Sequence, residues 1–265
     1  MREIKTEELR ELQMQIMDYV DIFCREHGIR YTISGGTLLG AIRHGGYIPW
    51  DDDFDIQMLR EEYKRFTKLW NQEENTFPYE LINMESGNNM GYPFGKVHDK
   101  RTITYVGRME RTGIYIDIFP IDNVRNMNDF QERHEKVKEL IKKRAYKFDW
   151  MRVKAEPFDI KRWCLILKHG VPRKTYEQIA EDINCIACEN HDVETPLVYE
   201  MVAGMRCKQP IPVEVFKEYS DIKFENRQYM AVNDYDTYLS MTFGDYMTLP
   251  PTKERVRHMF KAYWR

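Results

Sequence analysis

Asp53 and Asp55 stand one residue apart in Trp50-Asp51-Asp52-Asp53-Phe54-Asp55-Ile56-Gln57-Met58, whose second half reads as a strand. Residues i and i+2 of a strand face the same way, so both carboxylates would enter one cleft. Two like charges that close call for a cation. Mg²⁺ keeps waters and substrate phosphates among its oxygen ligands and suits such a pair, and Mn²⁺ would serve in its place. A third acid, Asp117, is alone in the apolar run Gly113-Ile114-Tyr115-Ile116-Asp117-Ile118-Phe119-Pro120. Burying it is costly unless it has a partner. Either a metal shared with Asp53 and Asp55 or hydrogen bonds from backbone amides would satisfy it. Upstream, Ser34-Gly35-Gly36-Thr37 lies between a strand-like segment and a helix start. Bare amides and a positive helix end at such a place can hold a phosphate, so the set points to phosphate-transfer chemistry.

A calcium loop is a competing reading, because Asp51, Asp53, Asp55 and Glu62 fall at its positions 1, 3, 5 and 12. Position 6 requires glycine and is Ile56, and Gly45-Gly46-Tyr47-Ile48-Pro49 cannot supply the entering helix. Cys185, Cys188, His191 and Cys207 could be read as a zinc site. The apolar spacing of Ile179, Ile183 and Ile186 instead marks a helix that packs its small residues.

The elements that must position the acids are legible in the apolar periodicity. Leu9, Leu12, Ile16, Val20 and Phe23 recur at helical spacing, with Glu7 and Glu8 in the first turn and Gly28 as a stop. Tyr31 to Ser34 reads as a strand, Thr37 to Ile42 as a helix start and Glu61 to Trp70 as a helix. Strand-like stretches follow at Tyr79 to Met84, Pro93 to Val97, Thr102 to Val106 and Ile114 to Phe119. Helical patterns cover Asn128 to Lys154, Asp159 to His169 and Thr175 to Asn190, before a hairpin at Asp221 to Val232 and a helix at Tyr235 to Phe243. The class is therefore α/β (α+β). The parts are a core over 1–125, a helical insertion or acceptor-side region over 126–210 and a segment completing the core over 211–265, together one domain.

The 265 residues, 42% hydrophobic with 35 aromatics, can bury a core, and a formal charge of −3 gives no nucleic-acid footprint. Charge is segregated, however. Gln131 to Lys174 holds 14 Lys and Arg against 6 Asp and Glu, which leaves −11 for the rest. A solvated helical face is one reading of this tract. The other is peripheral contact of Lys161-Arg162-Trp163-Cys164-Leu165-Ile166-Leu167-Lys168 with an anionic membrane or glycan. A polar, acidic N-terminus, no long apolar run and five scattered cysteines give the expectation of a cytoplasmic protein without disulfides.

The string Ser34-Gly35-Gly36-Thr37-Leu38-Leu39-Gly40, followed by Arg43-His44, Gly46, Ile48-Pro49-Trp50-Asp51-Asp52-Asp53 and Asp55-Ile56, resembles the signature of the LicD family. That family is the bacterial phosphorylcholine-transferase group related to fukutin. The likeness continues through Lys96, Ile116 to Pro120, Phe243-Gly244-Asp245-Tyr246-Met247 and Pro250-Pro251. It implies a nucleotidyltransferase-type mixed sheet flanked by helices, with Asp53, Asp55 and Asp117 as catalytic and metal-binding acids. It also implies transfer of a phospho-alcohol from a CDP-activated donor such as CDP-choline to a sugar hydroxyl of a glycan or lipid-linked glycan, with CMP leaving. On that basis Ser34, Gly35, Gly36 and Thr37 would cradle phosphate, and Arg43, Lys96 and Arg101 would neutralise developing charge. Asp117 would also take the acceptor proton. His44 and Trp50 would border the substrate, while Asp245, Arg255 and His258 follow the family pattern without an assigned role.

A cationic head group would want aromatic faces, and Tyr47, Trp50, Tyr92, Phe94, Tyr105 and Tyr115 flank these motifs, though core packing is the default reading of them. Two other functions fit parts of the pattern. A glycosyltransferase using D-x-D with a nucleotide sugar lacks a reason for the glycine turn and for Asp117. A non-catalytic nucleotide- or glycan-binding protein has no need of all three acids.

Overall fold

The computed structural model describes the chain except residues 74–75, 85–89, 108, 156, 204–206, 208, 253–254 and 256–260, so His258 lies outside the described residues. A short strand, β1 (Glu3–Ile4), precedes α1 (Thr6–Glu26), whose buried face includes Leu9, Leu12, Ile16, Val20 and Phe23. Then come β2 (Thr32–Ile33), α2 (Gly35–His44), β3 (Asp55–Leu59) and α3 (Arg60–Trp70). Gly45, at φ +73°, closes α2 in the left-handed conformation that only glycine adopts without strain.

The strands β4 (Tyr79–Ile82), β5 (Gly95–Asp99), β6 (Thr102–Val106), β7 (Met109–Glu110) and β8 (Tyr115–Val124) follow. Three helices occupy the middle: α4 (Met127–Ala155), α5 (Ile160–His169) and α6 (Tyr176–Ala187), the last with a Thr175/Gln178 capping box. The chain ends in β9 (Leu197–Tyr199), β10 (Ile211–Pro212), the hairpin β11 (Tyr219–Phe224) and β12 (Arg227–Val232), α7 (Tyr235–Phe243) and β13 (Lys261–Trp264). No helix among the described residues is long and apolar enough to cross a membrane.

The main sheet is mixed, in the order β10-β9-β8-β3-β2, with β5 also on β8 and β4 on β5. The one parallel pair among the described residues, β3 with β8, is central and sets Asp55 beside Asp117 and Gln57 beside Phe119. The expected α+β class and flanking helices are present, and the apolar residues Ile33, Ile56, Ile116 and Ile118 are fully buried. β9, from the middle region, pairs with β8, and β13 joins β1 and β6 in a second sheet, which ties both chain ends to the core.

Two elements differ from the pattern reading for local reasons. β8 continues past Pro120, because β5 covers residues 115–118 and β9 begins only at Asp122. Proline sits in the gap between those partners, where its missing N–H breaks no ladder bond. α6 stops at Ala187, and the next residues turn so that Asn190 Nδ2 donates to Asp129 Oδ2 at 2.8 Å.

Gly40 shows how closely the site loop rides on α2. A Cβ there would stand 2.4 Å from the Gly46 carbonyl oxygen and 3.2 Å from the Ile48 nitrogen, both backbone. Gly40→Ala must therefore push the 46–48 segment away, at a cost of about 1–3 kcal/mol in urea unfolding. A loss below about 0.3 kcal/mol would show that the loop yields freely.

Candidate active site

α1 holds the loop that carries the acids. Arg10 Nη2 donates to the carbonyls of Ile48 (3.0 Å), Pro49 (3.2 Å) and Asp51 (2.5 Å), and Gln13 Nε2 donates to that of Asp52 (3.0 Å). At the strand end, the Asp55 N–H donates to Thr37 Oγ1 (2.9 Å), and the Asp55 carbonyl accepts from Ser34 N–H (3.0 Å). The Asp117 N–H donates to the Phe54 carbonyl (2.9 Å). The start of α2 and the ends of β3 and β8 are thus stitched together by backbone amides and the Thr37 hydroxyl.

The glycines let carboxylates lie against bare backbone. Gly35 takes φ +51°, and a Cβ on it would be 3.8 Å from Asp55 Oδ2; one on Gly36 would be 2.7 Å from Asp51 Oδ2. Here the N-terminus of α2 faces a cleft of about 460 Å³ lined by Ser34, Gly35, Gly36, Asp51, Asp53 and Asp55. Arg43 and Trp50 line the same cleft, as does Tyr238, whose hydroxyl donates to Gln57 Oε1 (2.8 Å) and accepts from Gly35 N–H (3.3 Å).

Burial is the main reason that the Asp55 carboxyl is pushed well above the ordinary carboxylate range, followed by the charges of Asp53 and Asp117; Lys96 acts against them. A crowded, partly desolvated group of carboxylates is the donor chemistry that a hard cation relieves. Asp53, Asp55 and Asp117 therefore fit Mg²⁺ by ligand type. Among the described residues, no three His, Cys, Asp or Glu side chains are gathered tightly enough to hold an ion on their own, and a cation here would need waters or substrate oxygens as further ligands.

The other residues expected at the site divide into three groups. Arg43 reaches the cleft wall, where Nη1 donates to the Tyr246 carbonyl (2.6 Å) and Nε to His44 Nε2 (3.1 Å). His44 thus supports Arg43 from behind, and burial, then the Arg43 charge, lower its pKa. Thr37 is buried and holds the Asp55 amide rather than facing the cleft. Arg101 does not join the acids: it forks onto Asp99 (2.6 and 3.0 Å) in the β5–β6 turn.

Lys96 meets one of the acids directly. It lies opposite Asp117 in the β5–β8 register and forms an ion pair with Asp117 Oδ1. Its ammonium stands 3.7 Å from the centre of the Tyr115 ring, 4.6 Å from Tyr92 and 5.2 Å from Phe94. Burial opposes its charge, but Asp117 overrides burial and holds the pKa above the ordinary lysine value. Three of the aromatics expected around a cationic head group therefore enclose an internal lysine. Tyr47 packs on Phe54 and Phe224 in the core, and Tyr105 on Tyr263. Trp50 remains at the cleft, with the Arg255 guanidinium 4.4 Å from its ring centre. Asp245 lines the cleft from the far side.

The zinc reading gains no support from the thiols. Cys207 donates to the carbonyls of Gln209 (2.9 Å) and Met241 (3.2 Å), and Cys188 to Asn184 Oδ1 (3.7 Å).

Sequence reasoning missed Glu200, which follows β9, lines the cleft and is only 5% exposed. Burial pushes its carboxyl from the ordinary 4.5 up to about 8, against the Ala203 amide that donates to Oε1 at 2.7 Å. The unfolded chain loses this proton near 4.5 and the folded chain near 8, so stability is full below that window and declines within it. The decline is roughly 1.4 kcal/mol per pH unit. Glu200→Gln is expected to gain stability over the native chain progressively from pH 5 to 8 in thermal melts. A difference that stays constant with pH would contradict the buried proton.

The family model described as LicD/FKTN/FKRP, nucleotidyltransferase domain, matches residues 28–161, which hold Gly35, Gly36, Asp53, Asp55, Lys96 and Asp117. A lipopolysaccharide cholinephosphotransferase of Haemophilus influenzae, LicD, is 32% identical over 267 aligned residues, 96% of this chain and 97% of that protein. The human ribitol 5-phosphate transferase FKRP is 54% identical over 35 residues, 13% of this chain and 7% of that protein. Mannosyltransferase regulator 4 of Saccharomyces cerevisiae is 31% identical over 106 residues, 36% of this chain and 8% of that protein. A family match over half the chain and a relative aligned along nearly all of it agree with the glycine turn and the paired acids of the cleft: the chain belongs to the LicD family and is a LicD-type phosphotransferase.

Proposed function

We propose that this protein moves phosphocholine, or a related phospho-alcohol, from a CDP-activated donor to a sugar hydroxyl of a cell-surface glycan, releasing CMP. The observation that carries the reading is the placement of Asp55 against Gly35 at the start of α2, with Asp53 lining the same cleft and Asp117 beside Asp55 on the parallel strand. Support for the head group comes from the Haemophilus relative, a lipopolysaccharide cholinephosphotransferase.

Phosphoryl transfer asks the protein mainly for positioning and charge neutralisation. The Gly36 backbone and the positive end of α2 receive phosphate oxygens of the donor. Arg43, fixed by the Tyr246 carbonyl and His44, balances charge on the leaving CMP. Asp53, Asp55 and Asp117 would hold Mg²⁺, or Mn²⁺, which when bound neutralises the diphosphate. Lys96 orients Asp117 from the neighbouring strand, and Asp117 takes the proton of the attacking hydroxyl.

The test is a donor panel. CDP-choline, CDP-ethanolamine, CDP-glycerol and CDP-ribitol are incubated separately with the protein and Mg²⁺, and CMP is followed with and without a lipopolysaccharide or cell-wall glycan extract. One donor should release CMP in an acceptor-stimulated way. Silence with all four, together with turnover of a nucleotide sugar, would replace this reading with glycosyl transfer.

A further inference from the structure

The basic excess of the middle region is unevenly used. On α4, Lys136, Lys138 and Lys143 pair with Glu132 (2.7 Å), Glu135 (3.2 Å) and Glu139 (2.7 Å), each three or four residues earlier. Arg133 is buried and donates to the carbonyls of Ile186 (3.1 Å) and Ala187 (2.6 Å), and Arg144 donates to that of Gly91 (2.7 Å). Most of the positive charge on α4 is thus neutralised or turned into the fold.

α5 is built the other way. Asp159 caps its N-terminus, accepting from Arg162 N–H at 3.1 Å, and Ile166 is its one buried residue. Ile160 is 76% exposed, Leu167 82% and Phe158, just ahead of the cap, 93%. Ile160, Trp163 and Leu167 follow the i, i+3, i+7 spacing, which makes one continuous stripe along the helix. Lys161 and Lys168 are exposed beside it, and neither pairs with a carboxylate among the described residues. Soluble proteins seldom present a contiguous apolar face of this kind without something to cover it.

We propose that α5 and Phe158 form a docking face for an anionic bilayer surface. The apolar stripe enters the boundary between headgroups and acyl chains, and Lys161 and Lys168 meet lipid phosphates. Charge complementarity selects this occupant: Lys161 and Lys168 flank the stripe, in a tract with a net charge of +8 in a chain whose remainder carries −11. The contact would hold the protein at a surface where lipid-linked glycans reside. The inference stands on the exposed helix and its lysines, independently of the proposed donor.

Flotation of the full chain with phosphatidylcholine vesicles, alone or mixed with phosphatidylglycerol, tests it. The protein should float with the mixed vesicles at low salt and lose this in Ile160→Glu/Leu167→Glu by about tenfold or more. Lys161→Glu/Lys168→Glu should remove the preference for anionic lipid. Far-UV spectra and thermal melts of both double variants should match the native chain, since all four side chains are exposed. Absence of flotation with either vesicle, or flotation untouched by both variants, would overturn the proposal. So would a concentration-dependent dimer in sedimentation that the stripe variant abolishes, because the face would then belong to a second copy.

Discussion

Asp55→Asn is expected to lower phospho-alcohol transfer by about a thousandfold while making the cation-free protein more stable at neutral pH. The two effects have one origin. The Asp55 carboxyl is half-buried at the cleft, and desolvation, then the charges of Asp53 and Asp117, push its pKa well above the ordinary 3.8. A raised carboxyl pKa means that stability is full below the ordinary value and is lost as the pH climbs towards the folded one. Removing the charge restores that loss, so the stabilisation should appear at pH 7 in EDTA and vanish under acid. Added Mg²⁺ should raise the melting temperature of the native protein and leave the variant unmoved. Equal turnover of the two proteins would remove Asp55 from the chemistry, whatever the melts show.

Arg60→Met is expected to cost about 3–5 kcal/mol in urea unfolding, because it strands a charge rather than deleting a contact. Arg60 and Asp122 are 4% and 1% exposed and share a forked pair, Nε to Oδ1 at 2.7 Å and Nη2 to Oδ2 at 2.9 Å. Arg60 Nη1 also donates to Asn184 Oδ1 at 3.1 Å, so one guanidinium ties the start of α3 to β8 and α6. Burial opposes the guanidinium charge, yet Asp122 holds its pKa above the ordinary value. Arg60→Met/Asp122→Leu removes both charges and should recover most of the loss. If the single variant lost less than about 1 kcal/mol, Asp122 would have to find another partner or its proton without strain.

The parts of the site legible in the sequence were those with a spacing. Asp53 and Asp55, the paired glycines and a lone acid in an apolar strand each announce themselves within a few residues. A helix such as α1 is legible because its apolar pattern is long enough to repeat. The pairing of Lys96 with Asp117 is not legible locally, since it is set by strand register across twenty-one residues. A lysine between Gly95 and Val97 in a buried strand, and an aspartate between Ile116 and Ile118 in another, was the available signal. Arg101 was misread for the opposite reason, because Asp99 captures it within the same turn. Glu200 carried no signal: it follows a three-residue strand, and only the return of β9 to β8 brings it to the cleft.

Transfer from doubly labelled CDP-choline tests the central claim most directly, with one label in the phosphorus next to choline and the other in a choline methyl group. Both labels should reach the glycan in equal amount, in step with unlabelled CMP, and neither should do so with Asp55→Asn. Choline without its phosphorus on the glycan, or no transfer from any CDP-alcohol while a nucleotide sugar turns over, would contradict it.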